Sequence, residues 1–168
     1  MVTKIDRKKI KIALVLGPYR NLTTMIAGYV NFHKNVIVYN HGYWGFKDNG
    51  ADFWNKLTQE SLDKFIDIVV DKYQGGERGR KGGSIEQSHS YDSRNPLSKY
   101  KDKIPEKEDV EYIFFKESGR VTREMRKNWN DFSSVNKIME AFGDRLYFIR
   151  PIRDIYKCVL SNISTGHY

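Results

Sequence analysis

The chain has 168 residues, 14% of them aromatic, and a formal net charge of +8 at pH 7. That length suits one domain with one hydrophobic core, and the aromatic content argues against disorder throughout. The charge favours anionic partners such as nucleotides or sulfated and phosphorylated ligands, and a single cysteine excludes an internal disulfide framework.

The sequence has no apolar run near the ~20 residues that a transmembrane helix requires. A basic N-terminal segment leads into an apolar stretch at residues 12–16, which is shorter than the ~7–15 residues of a signal-peptide core. We therefore expect a cytoplasmic protein without membrane insertion.

The N-terminal quarter predicts a strand, a loop, a helix and a second strand. The apolar run at residues 12–16 is followed by a polar loop, helical spacing begins at Thr23, and another apolar run covers residues 36–39. This unit joins two parallel strands, and parallel sheets bind ligands beyond the carboxyl ends of their strands. Residues 17–24 are therefore expected to hold an oxyanion, with the helix N-terminus and Arg20 as donors.

Apolar patterns continue along the chain and alternate between the strand and helix periods. A glycine- and aromatic-rich loop is expected at residues 40–46, and a helix capped by Thr58 or Ser61 follows. Further elements are a strand at residues 112–115, a helix at residues 132–142, a strand at residues 146–149 and a helix from residue 155. The alternation predicts a single α/β domain over residues 1–168, with three layers, a mainly parallel sheet and helices on both faces.

The segment at residues 74–105 differs in composition from its surroundings. It is rich in glycine, serine and charged residues, and apolar residues are sparse. A long stretch without regular structure inside a compact domain is either functional or disordered. We expect a mobile loop or lid over the site, with plain disorder as the alternative.

The first loop fits half of the Walker pattern GxxxxGK[ST]. Gly17 matches the first glycine and Thr24 matches the final hydroxyl, whereas Leu22 and Thr23 replace the second glycine and the lysine. Without that lysine the loop lacks a contact to the β- and γ-phosphates. This argues against a nucleoside triphosphatase, while a P-loop nucleotide kinase or phosphotransferase remains an alternative.

The same loop resembles the P-[KR]-S-G-T-T loop of sulfotransferases, which holds the 5′-phosphosulfate end of 3′-phosphoadenosine 5′-phosphosulfate (PAPS). The aligned residues are Tyr19, Arg20, Asn21, Leu22, Thr23 and Thr24. The basic residue and both threonines match, whereas tyrosine, asparagine and leucine replace proline, serine and glycine. The change at Leu22 matters most, because a side chain there crowds the approach of the backbone to the phosphate.

A second part of the resemblance follows the fourth predicted strand. Arg153 stands at the strand end and Ser161 eight residues later, as in the family's strand followed by R-N-P-x-D-x-x-x-S, although Asp154 and Ile155 replace the Asn-Pro pair. An arginine offers a planar fork of donors to a phosphate, and a serine hydroxyl adds another. The resemblance implies that Arg153 and Ser161 hold the 3′-phosphate of PAPS.

A third part lies at the end of the third predicted strand, where the family's cytosolic branch carries K-T-H-[LF]-P. Lys116 matches the lysine, but the catalytic histidine falls on Ser118. In other branches a glutamate after the second strand acts as base; His41 stands near that position, and Glu117 offers a carboxylate. An imidazole can accept a proton at neutral pH, so His41, Glu117 or another group remains open as the base. Arg20 and Lys116 are expected to stabilise the leaving phosphate.

The resemblance implies a P-loop-like fold and the transfer of a sulfuryl group from PAPS to a hydroxyl or amine of an acceptor, a carbohydrate or small molecule, without a metal. The histidines and the cysteine show no metal-ligand spacing. The family's domain continues past the second motif, so we expect a fragment or a reduced member. A non-catalytic basic module that binds a polyanion is the other alternative; nucleic acid is disfavoured because aromatic and basic residues are not interleaved.

Overall fold

The computed structural model describes residues 5–17, 20–74, 76–77, 82–129 and 133–165. Its strands are β1 Lys11–Val15, β2 Val36–Asn40, β3 Gly76–Glu77, β4 Gly82–Ser84, β5 Tyr112–Lys116 and β6 Leu146–Ile149. Its helices are α1 Thr23–Val30, α2 Tyr43–Asp48, α3 Phe53–Lys56, α4 Gln59–Lys72, α5 Ser118–Trp129, α6 Ser133–Phe142 and α7 Ile155–Ser164.

The strands form one mixed sheet in the order β3-β4-β2-β5-β1-β6. β1 lies between β5 and β6 and is parallel to both, and β2 is parallel to β5. The short strands β3 and β4 are antiparallel and extend the sheet beyond β2. The predicted mainly parallel sheet is thus confirmed, and the antiparallel extension is an addition that the sequence did not indicate.

Helices cover both faces of the sheet because successive side chains of each strand point to opposite faces. Ile12 and Leu14 of β1 belong to a buried cluster that contains Phe65 of α4. Ala13 belongs to a second cluster that contains Ala27 of α1. The structure is therefore an α/β domain with a layer of helix on each side of the sheet, as predicted.

The helix start predicted near Thr58 is confirmed. The Thr58 side chain accepts a hydrogen bond from the backbone N–H of Ser61 at 3.2 Å, which satisfies a donor at the start of α4. None of the helices among the described residues is both long enough and apolar enough to cross a membrane.

The prediction of a stretch without regular structure at residues 74–105 is wrong for its described part. This part contains β3, β4 and short 3₁₀ turns, and Ile85, Tyr91 and Leu97 are buried against the α1 face of the sheet. The Tyr91 hydroxyl donates to the Gly28 carbonyl over 2.7 Å. Few apolar residues suffice here because each is almost completely buried; the motion expected of a lid remains a prediction.

Two helices lie where the sequence suggested loops. α2 begins within the expected loop at residues 40–46, and α5 begins two residues after Lys116. Val121 and Met125 of α5 are buried one turn apart, whereas its remaining described side chains are more polar and more exposed. So narrow an apolar stripe is a weak periodic signal, which is why α5 was missed.

Candidate functional site

The carboxyl ends of four parallel strands meet at one edge of the sheet. The residues that follow β2 and β5 are His41 and Glu117, and the loops after β1 and β6 carry Arg20 and Arg153. Since β2, β5, β1 and β6 are neighbours in that order, the loops lie side by side. Parallel sheets bind their ligands at such an edge.

The loop after β1 has an unusual backbone. Gly17, Arg20 and Leu22 have φ values of 134°, 63° and 60°, in the left-handed region that side chains disfavour. The loop is held by its neighbours: the Gly17 N–H donates to Thr122 Oγ1 over 3.1 Å, and the buried Asn21 amide donates to the Pro151 carbonyl. The strained conformation is therefore imposed by contacts to α5 and to the turn after β6.

Arg20, Arg153 and Ser161 meet although they are far apart in sequence. Arg20 Nε donates to Ser161 Oγ over 3.0 Å, and Arg153 Nη1 donates to the Arg20 carbonyl over 2.8 Å. Two guanidinium groups and a hydroxyl thus share one position between the first loop and the start of α7. Such a set of donors suits a phosphate group.

The start of α1 lies beside this position. Leu22 occupies the N-cap position without a side-chain cap, and its side chain is 37% exposed. Thr23 is buried, whereas Thr24 is partly buried and its carbonyl accepts a hydrogen bond from Ser90 Oγ at 2.6 Å. Leu22 therefore adopts the backbone conformation of the glycine in the matching motif while keeping a side chain. Tyr19 lies outside the described residues.

The central strands end in a cluster of buried polar groups. Asn40 of β2 pairs in register with Lys116 of β5, and both side chains are buried. Burial lowers the pKa of Lys116 below its ordinary value, and the neighbouring Glu117 carboxylate opposes that change. Asn40 Oδ1 has no hydrogen-bond partner in the described part of the chain. Buried polar atoms without partners are uncommon and are frequent at functional sites.

His41 and Glu117, both candidates for the base, lie against each other. His41 Nδ1 and Glu117 Oε2 are 3.3 Å apart, a distance that suits an ion pair, although the angle falls short of a hydrogen bond. The His41 side chain is 28% exposed and that of Glu117 only 3%. His41 is therefore accessible to a ligand, and Glu117 is placed to orient the imidazole from behind.

A cleft that the sequence did not indicate lies next to this pair. It has a volume of about 200 Å³ and is lined by Tyr43, Trp44, Arg120, Arg123 and Glu124. Burial and a hydrogen bond with Glu124 raise the pKa of the Tyr43 hydroxyl above its ordinary value. Recognising α5 would have indicated this site, because Arg120, Arg123 and Glu124 share one face of that helix.

All the predicted site residues that the structure describes lie on the loops and helix starts at this sheet edge. Among the described residues, no group of three histidine, cysteine, aspartate or glutamate side chains is arranged to hold a metal ion. Comparison of the chain with protein-family models, with curated proteins and with solved structures finds no match. Function is therefore inferred from the site itself.

Proposed function

We propose that this chain adopts a P-loop-like fold, binds PAPS at the ends of β1 and β6, and transfers its sulfuryl group to a hydroxyl or amine of an acceptor. The observation that carries the proposal is the contact of Arg20 with Ser161, reinforced by the hydrogen bond from Arg153 to the Arg20 carbonyl. The resemblance assigns these residues to opposite ends of one nucleotide. Their convergence is what a single doubly charged ligand requires.

In the proposed complex the 3′-phosphate accepts hydrogen bonds from Arg153 and Ser161. Arg20 exchanges its present partner, the Ser161 hydroxyl, for a phosphate oxygen of the nucleotide. Hydrogen bonds between ionised groups are roughly twice as strong as neutral ones, so a phosphate competes effectively with a hydroxyl for this guanidinium. The present contact thus keeps Arg20 close to its ligand position.

The transfer step is an in-line displacement at sulfur. The acceptor oxygen or nitrogen forms a bond to sulfur, and the bond between sulfur and the 5′-phosphate oxygen breaks to release 3′-phosphoadenosine 5′-phosphate (PAP). His41 accepts the acceptor proton, and Glu117 orients and stabilises the imidazolium that forms. Arg20 and Lys116 stabilise the charge that develops on the leaving phosphate.

Calorimetric titration with PAP tests this proposal. We expect the wild-type chain to bind PAP and to melt at a higher temperature in its presence, and we expect Arg20→Ala and Arg153→Ala to abolish both effects. Arg126→Ala is the matched control, because Arg126 is an exposed arginine of α5 outside the site. Absence of PAP binding by the wild type, or binding of Mg-ATP in preference to PAP, contradicts the proposal.

A further inference from the structure

The cleft between α2 and α5 adjoins the reacting end of the proposed site. Tyr43 and Trp44 follow His41 by two and three residues, and Arg120 follows Glu117 by three. The Val121 N–H donates to the Glu117 carbonyl over 3.3 Å, which places the first turn of α5 against that glutamate. The cleft therefore lies beside β2 and β5, on the far side of β1 from the Arg153 loop.

The chemistry of the lining is specific. Arg120 and Arg123 are three positions apart on α5 and so face the same way, with Glu124 beside them. Glu124 is held by Lys47, whose Nζ lies 3.7 Å from Glu124 Oε2 and 5.9 Å from the centre of the Trp44 ring. Trp44 is 40% exposed. The cleft thus combines an accessible aromatic face, two guanidinium groups and a fixed carboxylate.

Each of these groups matches part of an acidic sugar. A guanidinium binds a carboxylate or sulfate through two parallel hydrogen bonds, and a carboxylate accepts hydrogen bonds from ring hydroxyls. An indole face packs against the apolar side of a ring. The volume of about 200 Å³ is below the ~300–1,000 Å³ that encloses a drug-sized ligand, so the cleft suits one ring of a longer chain.

We propose that this cleft binds an anionic carbohydrate, a uronic-acid ring seated between Trp44 and the two arginines. Its role as the acceptor site rests on the proposed function, whereas binding itself does not. An acidic peptide is disfavoured because Glu124 repels its carboxylates and finds few hydroxyl donors in it. A uronic acid brings both a carboxylate for the arginines and hydroxyls for Glu124.

The test uses an unsulfated hyaluronan tetrasaccharide, titrated into the full chain and followed by calorimetry. We expect Arg123→Ala to weaken binding at least about tenfold and Trp44→Ala roughly fivefold, as losses of a charged hydrogen-bonded pair and of an aromatic contact do. Arg126→Ala removes an equal charge from the same helix outside the cleft and is expected to leave binding unchanged. Thermal melts of all variants establish that they are folded.

Three outcomes overturn the inference: no binding of the tetrasaccharide, equal losses in Arg123→Ala and Arg126→Ala, or tighter binding of a glutamate-rich peptide of similar charge. A neutral cellulose tetrasaccharide that binds equally well also overturns it, because the arginines then recognise nothing. Titration with PAP is read separately. Loss of PAP binding with tetrasaccharide binding retained contradicts the proposed function alone, and the converse result contradicts the carbohydrate site alone.

Discussion

Arg20 Nε donates a hydrogen bond to Ser161 Oγ over 3.0 Å, joining two residues that stand 141 positions apart. The contact exists because β1 and β6 are adjacent parallel strands, so that the loops following them share one edge of the sheet. The Arg153 guanidinium bound to the Arg20 carbonyl locks the same two loops together. This pair of contacts is what makes the two sequence motifs parts of one site.

Ser161→Ala tests the hydroxyl of this pair. The variant loses one donor to the proposed 3′-phosphate, and we expect PAP affinity to fall about tenfold, as loss of one hydrogen bond to a charged group does. Ser164→Ala is the control on the same helix, since Ser164 Oγ donates to the Ser161 carbonyl and does not contact Arg20. Equal PAP dissociation constants for wild type and Ser161→Ala contradict the assignment.

Leu22→Gly tests the main departure from the sulfotransferase loop. Leu22 has a φ of 60°, a conformation that is strained for leucine and not for glycine, and its side chain is partly exposed. We expect the free energy of unfolding, measured by urea denaturation, to rise by about 0.5–1 kcal/mol. PAP affinity is expected to rise as well, because the backbone becomes more accessible to the phosphate.

Met25→Gly is the control for that substitution. Met25 lies inside the same helix and is also exposed, but its backbone is helical, so glycine is expected to lower stability by about 1 kcal/mol. A loss of stability in Leu22→Gly of the same size as in Met25→Gly would mean that the left-handed conformation at Leu22 carries no strain.

Lys116→Met tests the buried ammonium at the end of β5. Burial lowers the pKa of Lys116 below its usual 10.5, so between the folded pKa and 10.5 the unfolded chain binds more protons than the folded chain. The free energy of unfolding therefore rises with pH in that window, and below it the cost of burying the charge is present in full.

Methionine removes this cost while filling a similar volume. At about pH 6 we expect Lys116→Met to be more stable than wild type by roughly 1 kcal/mol, and its stability to rise less with pH in the alkaline range. Lys99→Met, at an exposed lysine, is the control for loss of charge alone. Sulfuryl transfer by Lys116→Met is expected to be slow. A pH dependence of stability identical to that of wild type contradicts the prediction.

His41→Gly distinguishes a proton acceptor from a structural residue. His41 has a φ of 64°, which glycine adopts freely, so the variant is expected to fold and to bind PAP normally. The rate of PAP formation from PAPS with an acceptor is expected to fall by about 10²–10⁴, the usual contribution of a general base. Added imidazole is expected to restore part of the rate. Failure of this rescue, together with an equal loss in Glu117→Gln, assigns the base role to Glu117.

Several elements were predictable because their signal is local. The apolar run that became β1, the helical spacing from Thr23 and the strand at residues 146–149 each bury most of their side chains in one core. The same reasoning failed for α5, where buried apolar positions are few. It also misjudged residues 74–105, whose few apolar side chains are almost all buried.

Periodicity reports that one face of a helix is apolar, and it does not report what covers that face. The apolar spacing at Ile155 and Ile163 correctly predicted α7, yet both side chains are largely exposed. Burial depends on which elements pack against the helix, and that is a property of the whole fold.

The sequence by itself determined the layered α/β architecture and the two anion-binding turns, because hydrophobic period and donor chemistry are written in short stretches. Only the tertiary structure decided that Arg20 and Ser161 touch, that Glu117 is buried behind His41, and that a cleft opens beside them. These relationships depend on the order of strands in the sheet and on the register of helices that few apolar residues anchor. No local pattern encodes either, because both arise from packing between segments distant along the chain.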